Sequence, residues 1–165
     1  MAAEIRSNEN FTEAISKLSE VVGKKQSFSD VADHFDNYET TLYLGRPTLP
    51  IMTDPKYKRD FEYIYMLDLY INLFYTNQQL KTTSSRFFEH TIQNMKRAIK
   101  RKDVQWVIYS AHDTTVANML AAMNMTNVAC MYEAYKFGDM HNDDICVTKY
   151  PGYTANIIFE LWEDD

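Results

Sequence analysis

Apolar positions along this chain mark a series of helical stripes, followed by two strand-like runs. Phe11, Ala14, Ile15, Leu18, Val21 and Val22 recur on one face of a helix. Gly23 stops it, and Lys24 and Lys25 suit a helix C-terminus. Residues 1–9 are polar and are expected to fray. Val31, Phe35, Tyr38 and Leu42 predict a second helix starting near Ser29. Pro47 and Pro50 end it, because proline lacks an amide hydrogen and restricts the residue before it. A third helix is expected from about Asp54 to Leu80, with Pro55 near its first turn. Its middle is apolar nearly all round, which marks a central helix. A fourth runs from about Ser84 to Lys100, with Phe88, Ile92, Met95 and Ile99 on one face. Its basic end (Lys96, Arg97, Lys100, Arg101, Lys102) complements the helix dipole.

The pattern changes after Asp103. Val104 to Ser110 is short, apolar and β-branched, and predicts a buried strand. A polar turn, Ala111-His112-Asp113-Thr114-Thr115, leads into a short helix from Val116 to about Met123. Strand, turn and helix together make an α/β unit. Asn127 to Pro151 reads as a loop, long enough to suggest a functional or stapled one. Thr154 to Trp162 reads as a closing strand. The expected organisation is a mainly helical region, 1–102, followed by an α/β region, 103–165, without internal repeats.

Composition narrows the function classes. A chain of 165 residues, 45% apolar, suits one globular domain. A net charge of −6 argues against nucleic-acid binding, which needs a basic face, and against attachment to anionic lipid. Four glycines leave no GxGxxG or GxxxxGK[ST] phosphate loop. Without CxxC, HExxH or a spaced His/Cys set, no metal and no cofactor is expected. Phe61 to Leu80 is interrupted by Glu62, Asp68, Asn72 and Asn77, so no membrane span is expected, and Met1 to Ser7 does not read as a signal peptide. The nine methionines, Met119, Met123 and Met125 among them, read as core filler. Cys130 and Cys146 fit either a disulfide or two free thiols. Asn10-Phe11-Thr12 and Asn124-Met125-Thr126 fit the N-glycosylation pattern, although both asparagines also suit helix ends.

One constellation carries chemistry. His112-Asp113 stands where a strand ends and a helix begins, the place where ligands bind in α/β sheets. Unpaired amides in the first helical turn favour an anion there. A histidine can bond a phosphate oxygen, and a carboxyl can give a proton to a leaving alcohol. Each residue also has an ordinary role, Asp113 as a helix cap and His112 as a satisfied core histidine.

Ile108-Tyr109-Ser110-Ala111-His112-Asp113-Thr114-Thr115-Val116 resembles the second catalytic motif of the histidine acid phosphatases. The Thr-Thr pair is more similar to the acid phosphatases of that family than to its phytases. Further similar segments occur in the same order: Tyr43 with Thr48-Leu49-Pro50, Met95-Lys96-Arg97-Ala98, and Pro151-Gly152-Tyr153 through Phe159-Glu160-Leu161-Trp162. The resemblance covers about 40–165, the C-terminal portion of the family pattern. It implies a helix-rich α/β fold, with a helical cap and the C-terminal part of a three-layer α/β/α core. It also implies hydrolysis of phosphomonoesters through a phosphohistidine. By position, His112 would contact phosphate and Asp113 would be the general acid. A mostly secreted or lysosomal family strengthens the disulfide reading without excluding free thiols; a Cys130–Cys146 bond would close a 17-residue loop and contribute about 3 kcal/mol.

The family's nucleophile lies in an Arg-His-Gly-x-Arg-x-Pro motif, and Arg-His-Gly occurs nowhere in this sequence. His34, His90 and His141 stand in other contexts and read as structural or surface residues. None of Arg6, Arg46, Arg59, Arg86, Arg97 and Arg101 lies in a matching motif. The nucleophile strand is therefore expected from an upstream segment or another chain, and its absence would leave a sheet edge unpaired. Two readings follow. One is a fragment of a histidine acid phosphatase that takes a phosphomonoester once completed. The other is a non-catalytic, truncated subunit of a larger assembly.

Overall fold

Local capping signals set the helix boundaries. The computed structural model describes residues 1–101, 106–138, 146–152 and 154–162, and all regular structure among them is helical. Helix α1 spans Ala2–Arg6, and α2 spans Glu9–Val22. The Asn8 side chain caps α2 by accepting from the amides of Asn10 and Phe11 at 3.0 and 3.3 Å. Gly23 closes α2 at φ 73°, a left-handed conformation that other residues adopt at a cost. Helix α3, Phe28–Tyr43, opens on a reciprocal cap. Ser27 Oγ accepts from the Asp30 amide at 3.2 Å, and Asp30 Oδ2 accepts from the Ser27 amide at 2.7 Å. Ser29, the expected start, instead donates its hydroxyl to Asp68 at 3.0 Å and ties α3 to the next long helix.

That helix is shorter than the apolar pattern suggested. A 3₁₀ turn, Pro50–Thr53, precedes α4, Lys58–Leu73, and α5 spans Asn77–Arg101. The break expected near residues 80–84 lies instead at Phe74–Thr76. Thr76 Oγ1 accepts from the Gln79 amide at 3.2 Å, and Gln79 Oε1 accepts from the Thr76 amide at 2.8 Å, so a new helix starts there. The polar run Thr82 to Ser85 stays helical, and each hydroxyl finds its partner within the helix by donating back to a carbonyl one turn earlier.

Two further expectations change. Residues 1–9 do not fray: Ile5 is fully buried, and Arg6 donates to Asn72 at 3.2 Å. The expected loop from Asn127 contains α7, Val128–Phe137. Asn127 caps it by accepting from the Cys130 amide at 2.9 Å, and Val128, Met131, Tyr132 and Tyr135 form its buried face. Between them, α6 spans Asp113–Ala122 and begins three residues earlier than the apolar pattern placed it.

Helix α4 is the centre of the packing. Phe61, Ile64 and Leu67 are fully buried, in one cluster with Phe11, Leu18, Val31, Ala117 and Met131. Tyr135 of α7 packs on Phe11 of α2 with ring centroids 4.5 Å apart. Helices α6 and α7 thus share a core with the earlier helices. No helix among the described residues is long and apolar enough to cross a membrane.

The sheet expected from the two strand-like runs is absent from the described residues. Residues 106–111 and 155–162 form no ladder, and Val104 lies outside the described residues. Trp106, Ile108, Ile158 and Trp162 are 83%, 86%, 72% and 79% exposed. The two segments meet over α5: Phe87 contacts Tyr109 at 4.9 Å and Phe159 at 6.1 Å between ring centroids. Asn94 donates to the Tyr109 hydroxyl at 2.9 Å. A strand gains its hydrogen bonds only from a neighbour, so these segments have apolar side chains without a sheet to bury them.

Candidate active site

The segment 106–111 delivers His112 to the N-cap of α6. His112 has extended backbone, φ −85° and ψ 162°, and its side chain makes no cap bond. Its carbonyl accepts from the amides of Thr115 and Val116 at 2.9 and 3.2 Å, which starts the helix. Asp113 is the first residue of α6, where a negative charge is favoured by the helix dipole. Both side chains are exposed. Asp113 Oδ1 accepts from the Thr114 amide at 2.6 Å and from the Thr114 hydroxyl at 3.2 Å. An exposed imidazole beside a carboxyl, at a helix start rich in amides, can bind an anion and exchange a proton with it.

Behind this corner lies a group of hydroxyls that sequence reading did not single out. Tyr150 OH is 3.3 Å from Thr114 Oγ1. Its ring meets Tyr65 of α4 edge-on, 5.1 Å between centroids, and Tyr65 OH donates to Asp36 of α3 at 3.1 Å. Burial pushes both phenols above their ordinary range, and the neighbouring carboxylates act in the same direction. Nothing in the spacing around Tyr150 signals this contact, because it joins residues far apart in sequence. The base of α6 is fixed as well. Tyr70 OH donates to the Ala117 carbonyl at 3.3 Å, and Thr83 donates to Asn118 at 2.9 Å.

The segment bearing Tyr150 is itself anchored. Cys130 of α7 and Cys146 are joined in a disulfide, with Cα atoms 6.2 Å apart. The Val147 amide donates to the Met125 carbonyl at 2.7 Å, and Pro151 is buried.

Other candidate residues lie elsewhere. His34 pairs with Gln26 at 3.1 Å, His90 is exposed on α5, and His141 lies outside the described residues. Arg6 reaches Asn72 and Asp68. Arg59 donates to the Ala134 and Tyr135 carbonyls, where a cation complements the end of α7. Asn10 and Asn124 are both exposed. Among the described residues, no group of three or more His, Cys, Asp or Glu side chains could hold a metal ion.

The family model of the histidine phosphatase superfamily, branch 2, matches residues 6–165. A human protein, 2-phosphoxylose phosphatase 1, is 31% identical over 75 residues, which are 45% of this chain and 12% of that protein. The chain therefore matches only a small part of that relative's length. No solved structure matches significantly. With His112 and Asp113 exposed at the start of α6 and the family model matched from residue 6 to residue 165, the chain belongs to branch 2 of the histidine phosphatase superfamily.

Proposed function

We propose that this chain is the C-terminal part of a histidine acid phosphatase that hydrolyses phosphomonoesters. The observation that carries the reading is the exposed His112-Asp113 pair at the N-terminus of α6, in a chain of this family. In this reading His112 contacts a phosphate oxygen and Asp113 is the general acid. A histidine from an Arg-His-Gly segment, absent from these residues, attacks phosphorus. As the P–O bond breaks, Asp113 gives its proton to the leaving alcohol. Water then attacks the phosphohistidine, losing its proton to Asp113 and releasing phosphate. The human relative's name refers to a phosphorylated xylose. The substrate class carried over is the phosphomonoester.

The same reading assigns residues 1–102 to a helical cap and 103–165 to the end of an α/β/α core. Its missing strand comes from an upstream segment or another chain. What supports this is the uncovered apolar surface of 106–111 and 155–162. An inserted strand would satisfy the unpaired backbone and cover those side chains. The disulfide and the exposed Asn10 and Asn124 suit a secreted or lysosomal glycoprotein.

The alternative is a non-catalytic subunit, favoured by the missing Arg-His-Gly. Intact mass and phosphoenzyme trapping of the native product separate the two. A longer product with Arg-His-Gly upstream, whose turnover of an alkyl phosphate falls sharply but measurably in Asp113→Asn, is the expected result. The 165-residue chain alone should trap no phosphohistidine. Stoichiometric label on His112 would overturn this assignment of roles.

A further inference from the structure

Asp113 is exposed at the first position of a helix, where a carboxyl has several rotamers open to it. A general acid needs one of them, since proton transfer depends on placement within hydrogen-bond reach. Thr114 holds Oδ1 with its amide and its hydroxyl. That engages one of the two carboxyl oxygens. The Thr114 hydroxyl is in turn met by Tyr150.

Tyr150 is well placed to set this geometry, because its segment is fixed at several points. The disulfide to α7 lies four residues before it, and the Val147–Met125 bond follows that disulfide by one residue. Pro151 is buried immediately after it. Its ring rests on Tyr65, which is held by Asp36. These anchors come in part from α3, α4 and α7.

We propose that Tyr150 is a positioning residue for Asp113: through Thr114, its hydroxyl holds one Asp113 oxygen and so presents the other to the leaving group. This rests on the functional reading above. Burial raises the Tyr150 phenol above its ordinary value, so the hydroxyl keeps its proton at acid pH.

The test is the leaving-group dependence of turnover in the native full-length enzyme. An alkyl phosphate such as glycerol phosphate needs a proton on its departing oxygen. p-Nitrophenyl phosphate does not, because nitrophenolate leaves readily. Tyr150→Phe keeps the ring on Tyr65 and removes the hydroxyl. It should lower kcat for glycerol phosphate about tenfold and change kcat for p-nitrophenyl phosphate by less than about twofold. Thr114→Val should give the same split, which keeps the test decisive if the first variant folds poorly. Combined with Asp113→Asn, Tyr150→Phe should add no further loss with glycerol phosphate, because the two act as one unit. Equal losses with both esters, or no change with either, in an active wild type would overturn this proposal alone. A wild type that turns over neither ester would overturn the functional reading, and this proposal with it.

Discussion

The helical core and the two extended segments use similar side chains and reach opposite states. Phe61, Ile64 and Leu67 of α4 are fully buried, while Trp106, Ile108, Ile158 and Trp162 stand mostly in solvent. Hydrophobicity does not separate them. A helix satisfies its own backbone, so α4 needs only neighbouring faces to cover it. An extended segment needs a partner before its backbone is paired and its face is closed. Burial in this fold follows the availability of hydrogen-bond partners as much as the identity of the side chain.

The largest expected effect tests that contrast directly. Phe61→Ala should cost about 3–5 kcal/mol in urea unfolding of the 165-residue chain, because it opens a cavity at the centre of the core. Ile108→Ala should shift the same curve by less than about 0.5 kcal/mol, as for other exposed positions. In the completed protein the Ile108 cost should rise to about 2 kcal/mol or more, as a covered strand requires. An unchanged Ile108 cost there would mean that no strand covers this face.

Next in size is the disulfide. Cys146→Ser releases the 146–152 segment and should lower unfolding stability by about 3 kcal/mol. Thermal melting under non-reducing conditions would measure it. The paired prediction is that α2–α4 keep their helical signal at moderate temperature, because their core does not depend on that link.

Ser27→Ala should cost about 1 kcal/mol by removing one half of the α3 capping box, read by chemical denaturation. A loss much smaller than this would show that tertiary packing, and not the cap, sets the start of α3.

The smallest effect is a pH dependence. Burial raises the Asp60 carboxyl above its ordinary value, and the Tyr135 hydroxyl, donating at 2.7 Å, offsets part of that. The folded state therefore binds this proton more tightly than the unfolded state does. Its contribution to stability is full below the unfolded pKa and is lost as pH rises through the folded one. Asp60→Asn should flatten the stability profile across the acidic range, as followed by urea midpoints at successive pH values.

Several features were legible in the chain before its structure. The stripe from Phe11 to Val22 and the stop at Gly23 appear as α2 and its left-handed cap. The family resemblance carried by His112-Asp113-Thr114-Thr115 agrees with the family model. Other features were written in the sequence but outweighed. Thr76-Asn77-Gln78-Gln79 is a cap signal hidden inside a long apolar run. Asn127 followed by Val128, Met131, Tyr132 and Tyr135 is a capped amphipathic helix that the length of the surrounding loop disguised.

The sequence by itself determined α2 with its glycine stop, the His-Asp turn that opens α6, and the family. All of these rest on contacts within a few residues, or on a short motif. Only the tertiary structure decided that Ile5 anchors the N-terminus, that Tyr150 meets Thr114, and that the described residues of the two strand-like runs lie over α5 without forming a ladder. Those outcomes depend on groups far apart along the chain. Their partners are set by packing geometry, which periodicity does not encode.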